Sequence, residues 1–91
     1  MNKIKIKVTE KHILEGKPEE PKSCMIARAI EDQFRGEVKG AFVEDAKGIS
    51  IHWNCGKKEY TAPSRIDKKI NAFDEGRKVK PFEFYLTEKG I

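Results

Sequence analysis

Cysteine is scarce in this chain. Cys24 and Cys55 are its only two, too few to hold a small domain together by disulfide bridges. A Cys24–Cys55 bond needs an oxidising compartment. Cys24 also stands where a helix begins, a place that can lower a thiol's pKa. The plainer role for each is a small side chain that fills space. Long apolar runs are missing too. No stretch approaches the ~18 residues that cross a bilayer as a helix. The start, M-N-K-I-K-I-K-V, alternates where a secretory leader would be continuously apolar. These absences predict a soluble, cytoplasmic protein with no membrane partner.

Chemistry-bearing patterns are equally thin. The sequence has no C-x-x-C pair, and His12, Cys24, His52 and Cys55 are scattered. His52 and Cys55, three apart, are the nearest approach to a ligand pair. No metal, and no other cofactor, is expected. Nothing places His12 or His52 beside Cys24 as the base of a thiol nucleophile. G-E-V-K-G lacks the spacing of a phosphate loop. The acidic pairs Glu19–Glu20 and Asp74–Glu75 read as solvated groups. Catalysis is therefore not expected. Aromatic residues make up 9% of the chain, and no strand carries three on one face as an RNA-recognition sheet would.

What the sequence does have is periodicity. Its 91 residues suit one domain spanning 1–91, and 37% of them are charged against about 25% in a typical domain. Lys3–Val8 alternates strictly, with Ile4, Ile6 and Val8 on one side and Lys3, Lys5 and Lys7 on the other: a half-buried strand. A short helical turn over Glu10–Glu15 closes at Gly16. Residues 17–22, K-P-E-E-P-K, form a polar loop stiffened by Pro18 and Pro21.

The most apolar helix is Ser23–Arg35, with Ile26, Ala27, Ile30 and Phe34 on one face and Ser23 as its N-cap. From Val38 the period returns to two. Strands containing Phe42–Val43, Ile49–Trp53 and Lys58–Thr61 are joined by the turns D-A-K-G and N-C-G-K, giving a meander. A second long helix opens at Pro63–Ser64, with Ser64 and Asp67 spaced as a capping pair, and buries Ile66, Ile70 and Phe73. The last strand alternates Phe82, Phe84 and Leu86 with Glu83, Tyr85 and Thr87.

The order β-α-β-β-β-α-β predicts an α+β domain: an antiparallel or mixed sheet with two helices packed on one face. Its expected core is Ile4, Ile6, Val8, Ile26, Ile30, Phe34, Phe42, Ile51, Ile66, Ile70, Phe73, Phe82, Phe84 and Leu86. Trp53 continues the Ile49–Ile51 face inward, and His52 points away.

Charge is segregated along the chain. The net charge is +4. Residues 1–9 hold Lys3, Lys5 and Lys7 and no acid. Residues 57–69 hold Lys57, Lys58, Arg65, Lys68 and Lys69 against Glu59 and Asp67. Each segment is thus +3, while residues 10–45 are net acidic. Brought together, the two segments would make a patch for a phosphate-bearing partner, with Trp53 and Tyr60 near enough in sequence to stack on a base. A solvated lysine face, partly paired with Glu83 or Glu59, is the plain alternative.

Residues 24–30, C-M-I-A-R-A-I, and 73–86, F-D-E-G-R-K-V-K-P-F-E-F-Y-L, resemble a family of small uncharacterised phage, prophage and bacterial proteins. In that family a helix begins C-P-I-A-x-A, and a second helix ends F-D-x-G before a P-F-x-F strand. Met25 departs from the family's proline. The resemblance spans Ile4 to Leu86 and implies a mobile-element setting, hence the host cytoplasm if the chain is phage-encoded, with no activity and no site residues. The expected function is a non-enzymatic binding module, an accessory or counter-defence factor that binds a host protein or sequesters a nucleotide-type anion. The alternatives are a nucleic-acid-binding protein using the two basic segments, and a structural or homo-oligomeric phage subunit that pairs through the Lys3–Val8 edge.

Overall fold

Alternating apolar residues put β1 (Lys3–Val8) beside the last strand, β5 (Phe82–Glu88), in an antiparallel register that sets Ile4, Ile6 and Val8 opposite Leu86, Phe84 and Phe82. The computed structural model describes residues 3–89; Met1 and Asn2, where the leaderless reading begins, lie outside it. Between these two strands come α1 (Glu10–Glu15), α2 (Met25–Gln33), the meander β2 (Val38–Asp45), β3 (Gly48–Trp53) and β4 (Gly56–Thr61), and α3 (Arg65–Asp74). The five strands form one antiparallel sheet in the order β1-β5-β4-β3-β2. The α+β architecture and the element order are those the periodicities predict. No helix among the described residues is long and apolar enough to cross a membrane.

The sheet is joined in its middle by little backbone pairing. Among the described residues, β4 and β5 share only the positions Tyr60↔Glu88 and Thr61↔Thr87. The sheet curls about α2, which contacts both outer strands, β1 and β2. Met25, Ile26, Ala27, Ala29 and Ile30 of α2 are buried in that curl. The helix region also blunts both sheet edges. Gln33 Nε2 donates to the Lys5 carbonyl at 2.6 Å, and the Val43 N–H donates to the Pro21 carbonyl at 2.9 Å. Each outer strand thus gives a pairing group to its own chain, which works against strand addition there.

Several local expectations are corrected. The helix is shorter than Ser23–Arg35, and its N-cap is Cys24, whose Sγ accepts from the Ala27 N–H at 3.5 Å. Ser23 is instead tied by its backbone to Glu20 and Lys17. Ser64 makes no side-chain cap and already has helical dihedrals. Its expected partner Asp67 accepts from the Ala46 N–H at 2.8 Å, pinning α3 to the β2–β3 turn. Phe42 is not in the core. Lys39 is an extra residue between the pairs Val38↔Trp53 and Gly40↔His52, so Ala41 and Val43 face inward and Phe42 faces outward. Ile4, Phe34 and Phe82 are only partly buried, while Tyr60, Ile49 and Met25 are fully enclosed.

His12 is the one polar residue of the core among the described residues. Its Nδ1 accepts from the Thr9 N–H at 3.0 Å, and its Nε2 lies 2.9 Å from Asp32 Oδ2. A ring that accepts at Nδ1 carries its proton on Nε2 and donates it to Asp32. The imidazole therefore completes the N-terminal cap of α1 and ties α1 to α2. Arg35 adds a bond to Asp32 Oδ1 at 2.7 Å.

His12, first, and Arg35 hold the Asp32 carboxyl below its ordinary value of 3.8. Protons bind it more weakly folded than unfolded, so its contribution is present above the unfolded value and is lost as pH falls through the lower folded one. Asp32→Asn should therefore lower the melting temperature near neutral pH. That deficit should shrink as pH drops below about 4 in parallel thermal melts. A deficit independent of pH would show that the carboxylate's charge plays no part.

Candidate anion-binding face

The helices cover one side of the sheet, and the other side is open. Strand pairing fixes what stands on it. Lys3, Lys5 and Lys7 of β1 lie opposite Thr87, Tyr85 and Glu83 of β5. Thr61 of β4 lies opposite Thr87, and Lys57 and Glu59 lie opposite His52 and Ser50 of β3. These in turn face Gly40 and Phe42 of β2. Tyr85 is 52% exposed, an unusual place for a large ring.

Of the sequence-predicted site residues, Lys3, Lys5, Lys7 and Lys57 share this open face. Of the others, only Lys58 comes near one of them, Lys3. Lys58 pairs with inward-facing Ile51 and reaches Glu88 at 3.9 Å. Lys3 and Lys58 line one shallow hollow with Glu88, Trp53 and Tyr60. Arg65, Lys68 and Lys69 are on α3. There Lys69 Nζ sits 5.4 Å from the Phe82 ring centroid, and Arg65 Nη2 donates to the Glu83 carbonyl at 3.4 Å. The cluster expected over 57–69 is thus divided, because alternation sends Lys57 and Lys58 to opposite faces.

Part of the β1 charge is also already used. Lys5 Nζ lies 3.0 Å from Glu83 Oε1. That bond raises the Lys5 pKa and lowers that of Glu83, each mainly through its partner. Both groups are about half exposed, so the pair adds little stability. Among the described residues, Lys3 and Lys7 have no ion pair.

A hollow of about 570 Å³ lies at the β2 side of this face. Gly40 leaves space in its floor, and Phe42, Ser50 and His52 surround it. Three cations, Lys22, Lys39 and Lys57, line it, with Glu31 as the one acid. Lys57 reaches Glu59 only at 3.9 Å, between half-exposed groups. Lys22 and Lys39 make no ion pair among the described residues. Glu31 lies 3.8 Å from Arg28 Nη1. The hollow therefore offers an aromatic ring, a hydroxyl, an imidazole, an excess of positive charge and one carboxylate acceptor.

Sequence reasoning named Lys57 here and missed Phe42, Lys22 and Lys39. Alternation counted from Val38 places Phe42 in the core, and the Lys39 bulge reverses that parity. Gly40 inside a strand was the available signal, since such a glycine often marks a bulge or a close ligand. Trp53 and Tyr60 are not at this hollow. Trp53 Nε1 donates to the Tyr60 hydroxyl at 3.0 Å, and its ring meets Phe34 edge-on at 5.0 Å, on the packed side.

The remaining reactive groups are accounted for by packing. Thr9 Oγ1, His12 and Asp32 stand in hydroxyl–imidazole–carboxylate order, with Thr9 Oγ1 3.1 Å from Nδ1. The acceptor nitrogen is committed to the Thr9 N–H, so the ring acts as a cap. Cys24 and Cys55 are both free, the first buried and the second exposed. Burial pushes the Cys24 thiol up, against the Ala27 N–H that lowers it. The helix start therefore does not activate this thiol. No three His, Cys, Asp or Glu side chains among the described residues converge to hold a metal ion. No known protein family, curated protein or solved structure matches the chain.

Proposed function

We propose that this protein is a small non-enzymatic binding module whose open sheet face holds a nucleotide-type anion in the hollow over Gly40. One observation carries the reading: an outward-facing, half-buried aromatic ring, Phe42, shares a concave site with three lysines and a single acid. Phosphate oxygens suit Lys22, Lys39 and Lys57. A base suits the face of Phe42. Glu31 is an acceptor for an exocyclic amino group, which adenine, guanine and cytosine carry and uracil lacks. In the mobile-element setting that the sequence resemblance implies, sequestering such a ligand is how a counter-defence factor would act.

Calorimetry with mono-, di- and cyclic nucleotides tests this. Amino-bearing nucleotides should bind. A ligand at 100 times its Kd should stabilise the fold by about 2.7 kcal/mol. Phe42→Ala, or Lys39→Glu with Lys57→Glu, should weaken binding about tenfold or more. No heat and no stabilisation at millimolar nucleotide would reject the reading, and turnover of any of these ligands would reject its non-enzymatic part.

A second reading has its own observation. Lys3, Lys7 and the exposed ring of Tyr85 continue the basic face beyond the hollow, which suits a longer single strand. Affinity that grows with oligonucleotide length and falls steeply with salt would favour it over a mononucleotide site.

A further inference from the structure

We infer that a second groove, between α1 and the segment 76–81, is a docking site for an acidic peptide bearing one large apolar anchor residue. The groove encloses about 590 Å³. Ile13, Leu14, Phe73 and Val79 supply its apolar lining. Leu14 is 77% exposed, and Tyr85 is the other large hydrophobic side chain exposed among the described residues. Leu14 thus borders a cavity that its own chain leaves unfilled.

Charge selects the occupant. Arg77, Lys78 and Lys80 line the same groove, with Glu10 as its one acid. Arg77 is paired with Glu75 at 2.9 Å. Lys78 and Lys80 have no ion pair among the described residues, so their charge is available to carboxylates on a partner. The backbone gives a second handle. Lys78, Val79 and Lys80 lie outside every helix and strand and make no backbone hydrogen bond among the described residues. Their N–H and C=O groups can pair with an extended peptide laid along them.

A second copy is a poorer occupant, because this chain carries a net +4 and would bring like charge to a basic rim. A concave groove also suits an inserted side chain better than a flat anionic membrane. This inference does not depend on the nucleotide hollow. The two sites share no lining residue, so either can fail alone.

Fluorescence anisotropy with labelled twelve-residue peptides is the test. The probes are Glu/Asp-rich peptides with one central Leu, Phe or Trp. Their controls carry Ala at that position, or Lys in place of the acids. The anchored acidic peptides should bind saturably, and either change to the peptide should cost about tenfold. Leu14→Ser, and separately Lys78→Glu with Lys80→Glu, should cost about as much while leaving circular dichroism, thermal unfolding and nucleotide binding unchanged, since these side chains are exposed.

Four results would overturn the inference. The first is absence of saturable binding. The second is equal binding of the Ala-substituted peptides, meaning charge alone. The third is binding to phosphatidylserine vesicles that Leu14→Ser abolishes while the peptides stay unbound. The last is concentration-dependent dimerisation lost in Leu14→Ser, meaning a second copy fills the groove.

Discussion

Phe84→Ala should lower the stability of this protein by about 3–5 kcal/mol, the usual cost of removing a buried aromatic ring. Phe84 is 1% exposed, lies opposite Ile6 and stacks on Phe82 with ring centroids 5.9 Å apart. Its position makes the upper part of that range the expected one. The β1–β5 pair meets the β2–β4 meander through two ladder positions among the described residues. Side-chain packing must therefore do most of the work of joining them. A domain of this size has about 5–15 kcal/mol to lose. Urea denaturation should show a midpoint far below that of the unaltered chain. A loss under about 1 kcal/mol would mean that the two halves of the sheet are held by something other than this core.

Gly16→Ala should also destabilise strongly, although one methyl group is all that is added. A Cβ at Gly16 would lie 2.5 Å from the Met25 nitrogen, 2.8 Å from its Cα and 2.9 Å from Phe73 Cζ. Two of those atoms are backbone at the start of α2 and cannot swing aside. The dihedrals of Gly16, φ −70° and ψ 152°, are open to any residue. The need for glycine is thus one of space, where α1 ends against α2 and α3. Overpacking of this kind costs about 1–3 kcal/mol, with backbone contacts at the high end. Gly40→Ala is the internal control, since its Cβ would meet Glu31 Oε2 at an ordinary 3.7 Å. Thermal melts should separate the two variants clearly. Equal melting temperatures would show that α1 shifts freely on α2.

Much of the fold was legible because its signals are local. The alternation of Lys3–Val8 gave β1 with its bounds, and the Glu10–Glu15 turn closed by Gly16 gave α1. Capping was less legible. Whether Ser23 or Cys24 caps α2 turns on a one-residue difference in where the loop ends, which its contacts with Glu20 and Lys17 decide. In the sequence His12 is only one of four scattered possible ligands. Its partner Asp32 is twenty residues away, and periodicity does not reveal such a pairing.

The candidate site was the least legible part. The basic segments were visible as composition, but a count of charge along a chain does not say which face each lysine takes. One bulge at Lys39 turned Phe42 outward. The curl of the sheet about α2 brought Lys22 and Glu31 beside it.

The amino-acid order alone specified strands, helices and an α+β class, because hydrophobic periods of two and 3.6 residues are properties of neighbours in the chain. Tertiary structure alone decided strand order, the open face and both grooves. Those depend on residues far apart in sequence, whose meeting is set by how the sheet wraps its helix.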